Sequence, residues 1–208
     1  MSIEKRFKKL IIISSPSGAG KTTICKFLLK KIKNVELSIS YTTRHKRINE
    51  INGKDYYFID KKKFFSLIKE NYFIESASVF KNYYGSPLAN INKAFKKNNH
   101  ILFDIDWQGA RKLRKNFPAN QIIDFFILPP NKKELKRRLE KRGRDNKKEI
   151  SMRLSHAIKE IYHHVDYKYI LINENINETV NNLLNIIKHE VLISSIEYKV
   201  NRKLKFIK

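Results

Sequence analysis

The apolar run Leu10-Ile11-Ile12-Ile13 leads directly into Ser15-Pro16-Ser17-Gly18-Ala19-Gly20-Lys21-Thr22, and this junction constrains the fold more tightly than any other part of the chain. Apolar positions at helical spacing follow it (Ile24, Phe27, Leu28, Ile32), so the order is strand, small-residue loop, helix. Small residues let several backbone N–H groups turn toward one anion, Lys21 adds a point charge, and Thr22 offers a hydroxyl to Mg²⁺. The usual eight-residue pattern begins with glycine. Ser15 stands there instead, while the end that carries the charge and the metal ligand, Gly20-Lys21-Thr22, is intact. Residues 15 to 22 are therefore expected to hold a nucleoside triphosphate, with Mg²⁺ as its cofactor.

A chain of 208 residues is long enough for one core with insertions. Its formal charge is +24, from 44 Lys plus Arg against 20 Asp plus Glu. The cations are spread over every segment and no nucleic-acid motif organises them, so no specific nucleic-acid partner is expected, only salt-sensitive adhesion to polyanions. No apolar run is long enough to span a bilayer, and Leu10 to Ile13 is too short for the core of a secretory signal, which predicts a soluble, cytoplasmic protein without a membrane partner. Cys25 is the only cysteine, so an intrachain disulfide is excluded, and one turn past the loop it reads as a packed side chain. Oligomeric state is not written in the sequence.

No repeat, proline-rich linker or low-complexity block divides the chain. From Val35 to about Gly85, Leu37-Ser38-Ile39-Ser40 and Tyr56-Tyr57-Phe58-Ile59 predict short strands around a helix at Lys61 to Glu70, a β-rich insertion. A helix from about Leu88 to Lys97 leads to Ile101-Leu102-Phe103-Asp104-Ile105-Asp106, a mostly apolar strand ending on carboxylates, where open α/β sheets gather their ligands. Gln121 to Leu128 and Ile170 to Ile172 predict further apolar strands. Between them Lys132 to Tyr162 reads as two helices broken near Gly143-Arg144-Asp145-Asn146, the shape of a lid. Asn177 to about Glu197 predicts the last helix, followed by a frayed basic tail from Lys199 to Lys208.

Phosphoryl transfer needs a donor cradle, a metal, a pocket that positions the acceptor, and cations that follow the moving charge. Lys21 and Thr22 supply the donor side. Asp104 is placed to help hold hydrated Mg²⁺ or to orient the acceptor. Arg137, Arg138, Arg142, Arg144 and Arg153 line the expected lid, and two or more of them are expected to reach phosphate. Arg44 and Arg47 lie three apart beyond a Ser/Thr cluster, a pattern suited to a small phosphorylated acceptor.

The ordered set of the phosphate loop, Ser40-Tyr41-Thr42-Thr43-Arg44-His45-Lys46-Arg47, Asn82-Tyr83-Tyr84-Gly85-Ser86 and Asp104-Ile105-Asp106-Trp107-Gln108-Gly109 resembles the guanylate kinase family over about Leu10 to Glu190. The resemblance implies an α/β P-loop kinase with a three-layer α/β/α core, a central parallel sheet, a GMP-binding insertion over 36–90 and a helical lid over 131–155. The core would comprise 1–35, 91–130 and 156–208. It implies transfer of the γ-phosphoryl of ATP to GMP, giving ADP and GDP, with ATP and GMP as the small-molecule partners.

By the same resemblance Arg44, Arg47, Tyr56 and Tyr84 would hold the GMP phosphate, and Ser40, Glu75, Ser86 and Asp106 would surround the guanine. Glu75 would accept from the N1–H and 2-amino edge, a choice that is chemically sound because adenine presents an unprotonated N1 there. Arg142 and Arg153 are similar to the family's lid arginines, with Arg138 a further candidate, and Asn173 stands at the position near the adenine. The resemblance implies catalytic roles for Lys21, Arg44, Asp104, Arg142 and Arg153, and metal roles for Thr22 and, through water, Asp104. The rival reading is a catalytically inactive guanylate-kinase-like binding module. Such modules typically lose the ATP loop, which persists here together with Asp104 and the lid arginines. His45, His156, His163 and His164 fall at no metal-binding spacing, and Trp107 reads as packing beside the acceptor site.

Overall fold

The computed structural model describes residues 7–141 and 147–207. Its centre is a parallel five-stranded sheet in the order β2-β7-β1-β8-β9: β1 Leu10–Ser14, β2 Val35–Leu37, β7 His100–Asp104, β8 Ile122–Leu128 and β9 Tyr169–Ile172. Every residue of β1 is buried, and the two-residue alternation of a strand sorts its side chains between two cores. Ile11 and Ile13 point with Leu102, Ile123 and Phe125 toward α1 (Lys21–Lys31) and α7 (Ile176–Ile207), where Ile24, Leu28, Leu183 and Ile187 meet them. Leu10 and Ile12 point with Ile101, Phe103 and Phe126 to the other face, against α3 (Leu88–Lys96) and α4 (Trp107–Asn116). Each fully buried aliphatic side chain of β1 contributes on the order of 2 kcal/mol, which anchors the start of the phosphate loop.

A second, four-stranded sheet has the order β4-β3-β6-β5, formed by β3 Tyr41–Thr42, β4 Tyr57–Phe58, β5 Phe73–Val79 and β6 Asn82–Pro87. Helix α2 (Lys61–Lys69), capped by the Asp60 carboxylate accepting from the Lys63 N–H, presses Phe64 onto Phe73 with ring centroids 4.9 Å apart. The hairpin turn between β5 and β6 is Phe80-Lys81, and both residues have positive φ, 48° and 62°. A left-handed backbone at such residues costs roughly 1–2 kcal/mol apiece.

Two placements differ from the sequence reading. Leu37 falls in β2, which pairs with β7 in the central sheet, and the strand of the smaller sheet starts only at Tyr41. A three-residue edge strand gives too short an alternation to tell one sheet from the other. Helix α7 continues to Ile207 where a frayed tail is expected from Lys199. Nothing after Ile176 breaks a helix, since neither Gly nor Pro occurs there, and the Tyr198 ring meets Phe7 edge-on at 5.5 Å.

Helices α5 (Lys132–Glu140) and α6 (Lys147–Ile161) pack through Leu135, Leu139 and Ala157, with Ile150 and Leu154 beside them. They cover the carboxyl edge of β1. The small sheet stands on the other side of that edge, leaving a cleft between.

Candidate active site

A cleft of about 240 Å³ runs from the phosphate loop to the β5–β6 hairpin. Register explains why its two ends face each other. Ile13 pairs with Asp104, so the loop after β1 and the carboxylate at the end of β7 emerge side by side. On the hairpin, Glu75, Ala77 and Val79 alternate onto the cleft face, and Tyr84 and Asn82, the cross-strand partners of Ala77 and Val79, line it with them.

At the loop end, Gly20 has φ 99° and caps α1 without a side chain. A Cβ there would lie 2.8 Å from Asn173 Nδ2, so both the backbone and the space require glycine. Lys21 reaches Asp104 Oδ1 at 2.9 Å and donates to the Ile105 carbonyl at 2.8 Å; the Thr22 hydroxyl donates to Asp104 Oδ2 at 2.9 Å. Burial alone would lower the Lys21 pKa, but the charge of Asp104 outweighs it and holds the ammonium above its ordinary value. Ser15, Pro16, Ser17, Gly18, Gly20, Lys21 and Thr22 line the cleft, and Ala19 does not. The Ala19 carbonyl points backward and accepts from Asn173 Nδ2 at 2.8 Å and from Arg138 Nη1 at 3.2 Å. Asn173, expected near the adenine, is buried behind the loop as one of its supports.

At the hairpin end, Glu75 is 3 % exposed. Ser86 donates to Glu75 Oε1 at 2.6 Å, and Ser86 and Ser40 share a hydrogen bond of 3.0 Å. Ser86 thus stands behind Glu75, while Ser40 and Glu75 line the cleft. Burial pushes the Glu75 carboxyl up to about 7, with Asp106 adding to the rise and the Ser86 hydroxyl opposing it. Asp106, cleft-lining at the N-cap of α4, accepts from the Gly109 N–H and from Gln108 Nε2. A Cβ on Gly109 would stand 2.5 Å from Glu75 Oε2, so glycine lets the first turn of α4 close against the carboxylate.

Between the ends lie Arg44, Arg47, Tyr56 and Tyr84. Arg44 donates to Glu50 Oε1 at 2.7 Å, and its guanidinium carbon sits 5.5 Å from the centre of the Tyr56 ring. Glu50 also accepts from the Arg47 N–H, so one carboxylate orients both arginines. Its own carboxyl lies below the ordinary range, because the pull of burial upward is exceeded by Arg44 and the Arg47 backbone.

Of the lid arginines, Arg153 on α6 lines the cleft. Arg137 is exposed and forks onto Glu134, whereas Arg138 bridges Glu134, the Ala19 carbonyl and the Asn173 carbonyl from behind the loop. Arg142 and Arg144 lie outside the described residues. Trp107 stacks on His163 with ring centroids 3.6 Å apart.

Three residues that matter here were not singled out by motif. Glu160, buried on α6, accepts from the Ser17 N–H at 2.9 Å, and burial raises its pKa. Glu50 was signalled only by its position three residues after Arg47. Phe80 enters the cleft from the hairpin turn, where nothing in Phe80-Lys81 announces a two-residue turn.

Among the described residues no group of three or more Asp, Glu, His or Cys converges on a metal-sized space, and no helix is long and apolar enough to cross a membrane. The family model for guanylate kinase matches residues 7–190. A guanylate kinase of Rickettsia prowazekii is 41 % identical over 185 residues, covering 89 % of this chain and 90 % of its own. One of Blochmanniella pennsylvanica is 46 % identical over 186 residues, with 88 % and 87 % covered. The crystal structure of guanylate kinase from Anaplasma phagocytophilum superimposes with a TM-score of 0.76 at 36 % identity, covering 91 % of this chain and 89 % of that one.

Proposed function

The chain belongs to the guanylate kinase family, and on that premise we propose how its cleft is divided between ATP and GMP. It is an ATP:GMP phosphotransferase with a P-loop α/β fold, and the reaction is ATP + GMP to ADP + GDP. The phosphate loop, residues 15 to 22, takes the ATP phosphates, with Arg153 and, outside the described residues, Arg142 closing over them from the lid at 131–155. Asn173 and Ala19 serve ATP by holding the loop's shape. The insertion at 36–90, starting in practice at β3, takes GMP, and the remaining segments are the core.

The observation that carries this division is the buried Glu75 at one end of a cleft whose other end is the Lys21–Asp104–Thr22 constellation. An ionised carboxylate accepts from both guanine donors, N1–H and the 2-amino group, and repels the unprotonated N1 of adenine. Ser40, Ser86 and Asp106 fix its surroundings. Arg44 and Arg47, with the Tyr56 and Tyr84 hydroxyls, hold the GMP phosphate. Arg44 exchanges Glu50 for phosphate oxygens in doing so, a like-for-like swap of anionic partners.

The Thr22 hydroxyl and Asp104 carboxylate are hard oxygen donors adjacent in the cleft, which fits Mg²⁺: Thr22 would hold it directly and Asp104 through water. When bound it would neutralise phosphate charge during the transfer. A GMP phosphate oxygen attacks the γ-phosphorus, the bond to the β-phosphate bridging oxygen breaks, and ADP leaves with that electron pair. Lys21 and Arg153 follow the charge, and no covalent enzyme intermediate is needed because the acceptor is already a competent nucleophile. The cytoplasm, where both nucleotides are made and used, is the compartment this reading fits.

ADP release, coupled to a reporter, with ATP, Mg²⁺ and each of GMP, AMP, UMP and CMP tests the reading. Turnover with GMP and at most about a hundredth of it with the other three is expected of a site that hydrogen-bonds its substrate. Comparable turnover with AMP would remove Glu75 from the guanine.

A further inference from the structure

The β5–β6 hairpin turns on Phe80 and Lys81, both at positive φ, between the paired residues Val79 and Asn82. Asn-Gly is the pair that enters such a turn without strain. Bulky residues with this backbone are outliers that persist only where their surroundings hold them, and they concentrate at working sites. The surroundings here belong to the lid. The Phe80 ring lies 4.7 Å from the His156 imidazole, tilted by 47°, and the Arg153 guanidinium carbon is 6.0 Å from its centre. His156 and Arg153 are three residues apart and therefore share one face of α6. One apolar side chain of the acceptor arm thus rests on the lid helix beside the arginine assigned to ATP.

We propose that Phe80 is a positioning residue that couples the GMP-binding hairpin to the lid helix through His156 and Arg153, so that occupancy of either nucleotide subsite tightens the other. The inference rests on the subsite assignment of the preceding section. Glu75 and Tyr84 stand on the two hydrogen-bonded strands that Phe80 and Lys81 join, five residues before Phe80 and four after it. A GMP that draws Glu75 and Tyr84 inward carries the turn with them, and the ring pressed on His156 carries α6. That helix is also tied at its C-terminal turn to the phosphate loop, by Glu160 on the Ser17 N–H, so displacement of its middle swings Arg153 about a fixed end. Linkage requires the coupling to be reciprocal.

Titration calorimetry with the Mg²⁺ complex of a non-hydrolysable ATP analogue, with and without saturating GMP, reads the coupling directly; the reverse titration reads it again. Wild-type protein should bind each ligand at least about fivefold tighter in the presence of the other, by the same factor in both directions. In Phe80→Ala the factor should fall to within about twofold of one, while each ligand alone binds within about twofold of wild type. His156→Ala interrogates the same contact from the lid side and stands in should Phe80→Ala fail to fold. The double variant should lose no more than either single one. A wild-type factor of one overturns the proposal, as does wild-type coupling in either variant. Absence of GMP binding to the wild-type protein would instead overturn the subsite assignment, which keeps the two failures distinct.

Discussion

The two ends of the cleft are built differently. The donor end is made of backbone: a loop of small residues on a buried strand, its shape fixed from behind by Asn173 and Arg138 and from the cleft side by Glu160, with Lys21 as its permanent charge. The acceptor end is made of side chains held by other side chains, Glu75 by Ser86 and Arg44 by Glu50. Backbone N–H groups do not titrate, whereas a buried carboxylate does. On the proposed assignment, discrimination of the base rests on a titratable side chain, while the phosphates of ATP are met mainly by backbone.

Substitutions separate the two ends. Lys21→Ala removes the only side-chain cation the loop itself carries and should lower kcat by roughly 10³-fold, with GMP affinity measured by calorimetry nearly unchanged. Comparable loss of GMP binding would show that the ends are not independent in construction. Glu75→Gln leaves one guanine donor facing an amide NH₂ and should reduce kcat/KM for GMP by roughly 10²-fold while KM for ATP moves less than about twofold.

Acid sharpens the same contrast. On the proposed assignment GMP binds the ionised Glu75 carboxylate, so with that group pushed up to about 7 the KM for GMP should rise as pH falls below that value, approaching tenfold per unit, with KM for ATP changing far less. Stability without ligand has the opposite sign. A folded pKa raised above the ordinary 4.5 means that what this group contributes to stability is complete below 4.5 and is lost as pH rises through about 7. Glu75→Gln should abolish both trends, and a GMP profile that is unchanged in the variant would assign the titration to another group.

The same difference decides what could be read from the sequence. Backbone function demands small residues in fixed order, so residues 15 to 22 were legible, as was the apolar strand that ends on Asp104; the register that sets Asp104 beside Ile13 was not. Arg44 and Arg47 showed in their spacing and Asp106 at a strand end, but Ser40, Glu75, Tyr84 and Ser86 were legible only through an ordered family pattern, because no spacing rule requires a carboxylate to be near a serine eleven residues away. Glu160 and Glu50 escaped because each acts by holding a neighbour. An acidic residue on a basic helix and another in a polar loop look like ordinary surface until the structure shows one on the Ser17 N–H and the other between two arginines. Asn173 was legible as a residue at the sheet's carboxyl edge but not as a support facing away from the cleft, since the direction of its amide depends on where the Ala19 carbonyl points.

Glu160 offers the smallest and most discriminating of these tests, because it is a titratable side chain, at the end of α6, that serves the donor end. Its carboxylate is one oxygen's reach from the loop: Oε2 accepts from Ser17, and Oε1 is 3.4 Å from His156 Nδ1. Removal in Glu160→Ala leaves the Ser17 N–H to water and loosens the loop from α6, an effect of about 1 kcal/mol, or several-fold in KM for ATP. Glu160→Gln retains an oxygen acceptor in the same place without the charge, so it should recover most of that loss if geometry is what the residue supplies. Should Gln behave like Ala, the charge itself would be the active element, and the donor end would share the dependence on titratable side chains that sets the acceptor end apart.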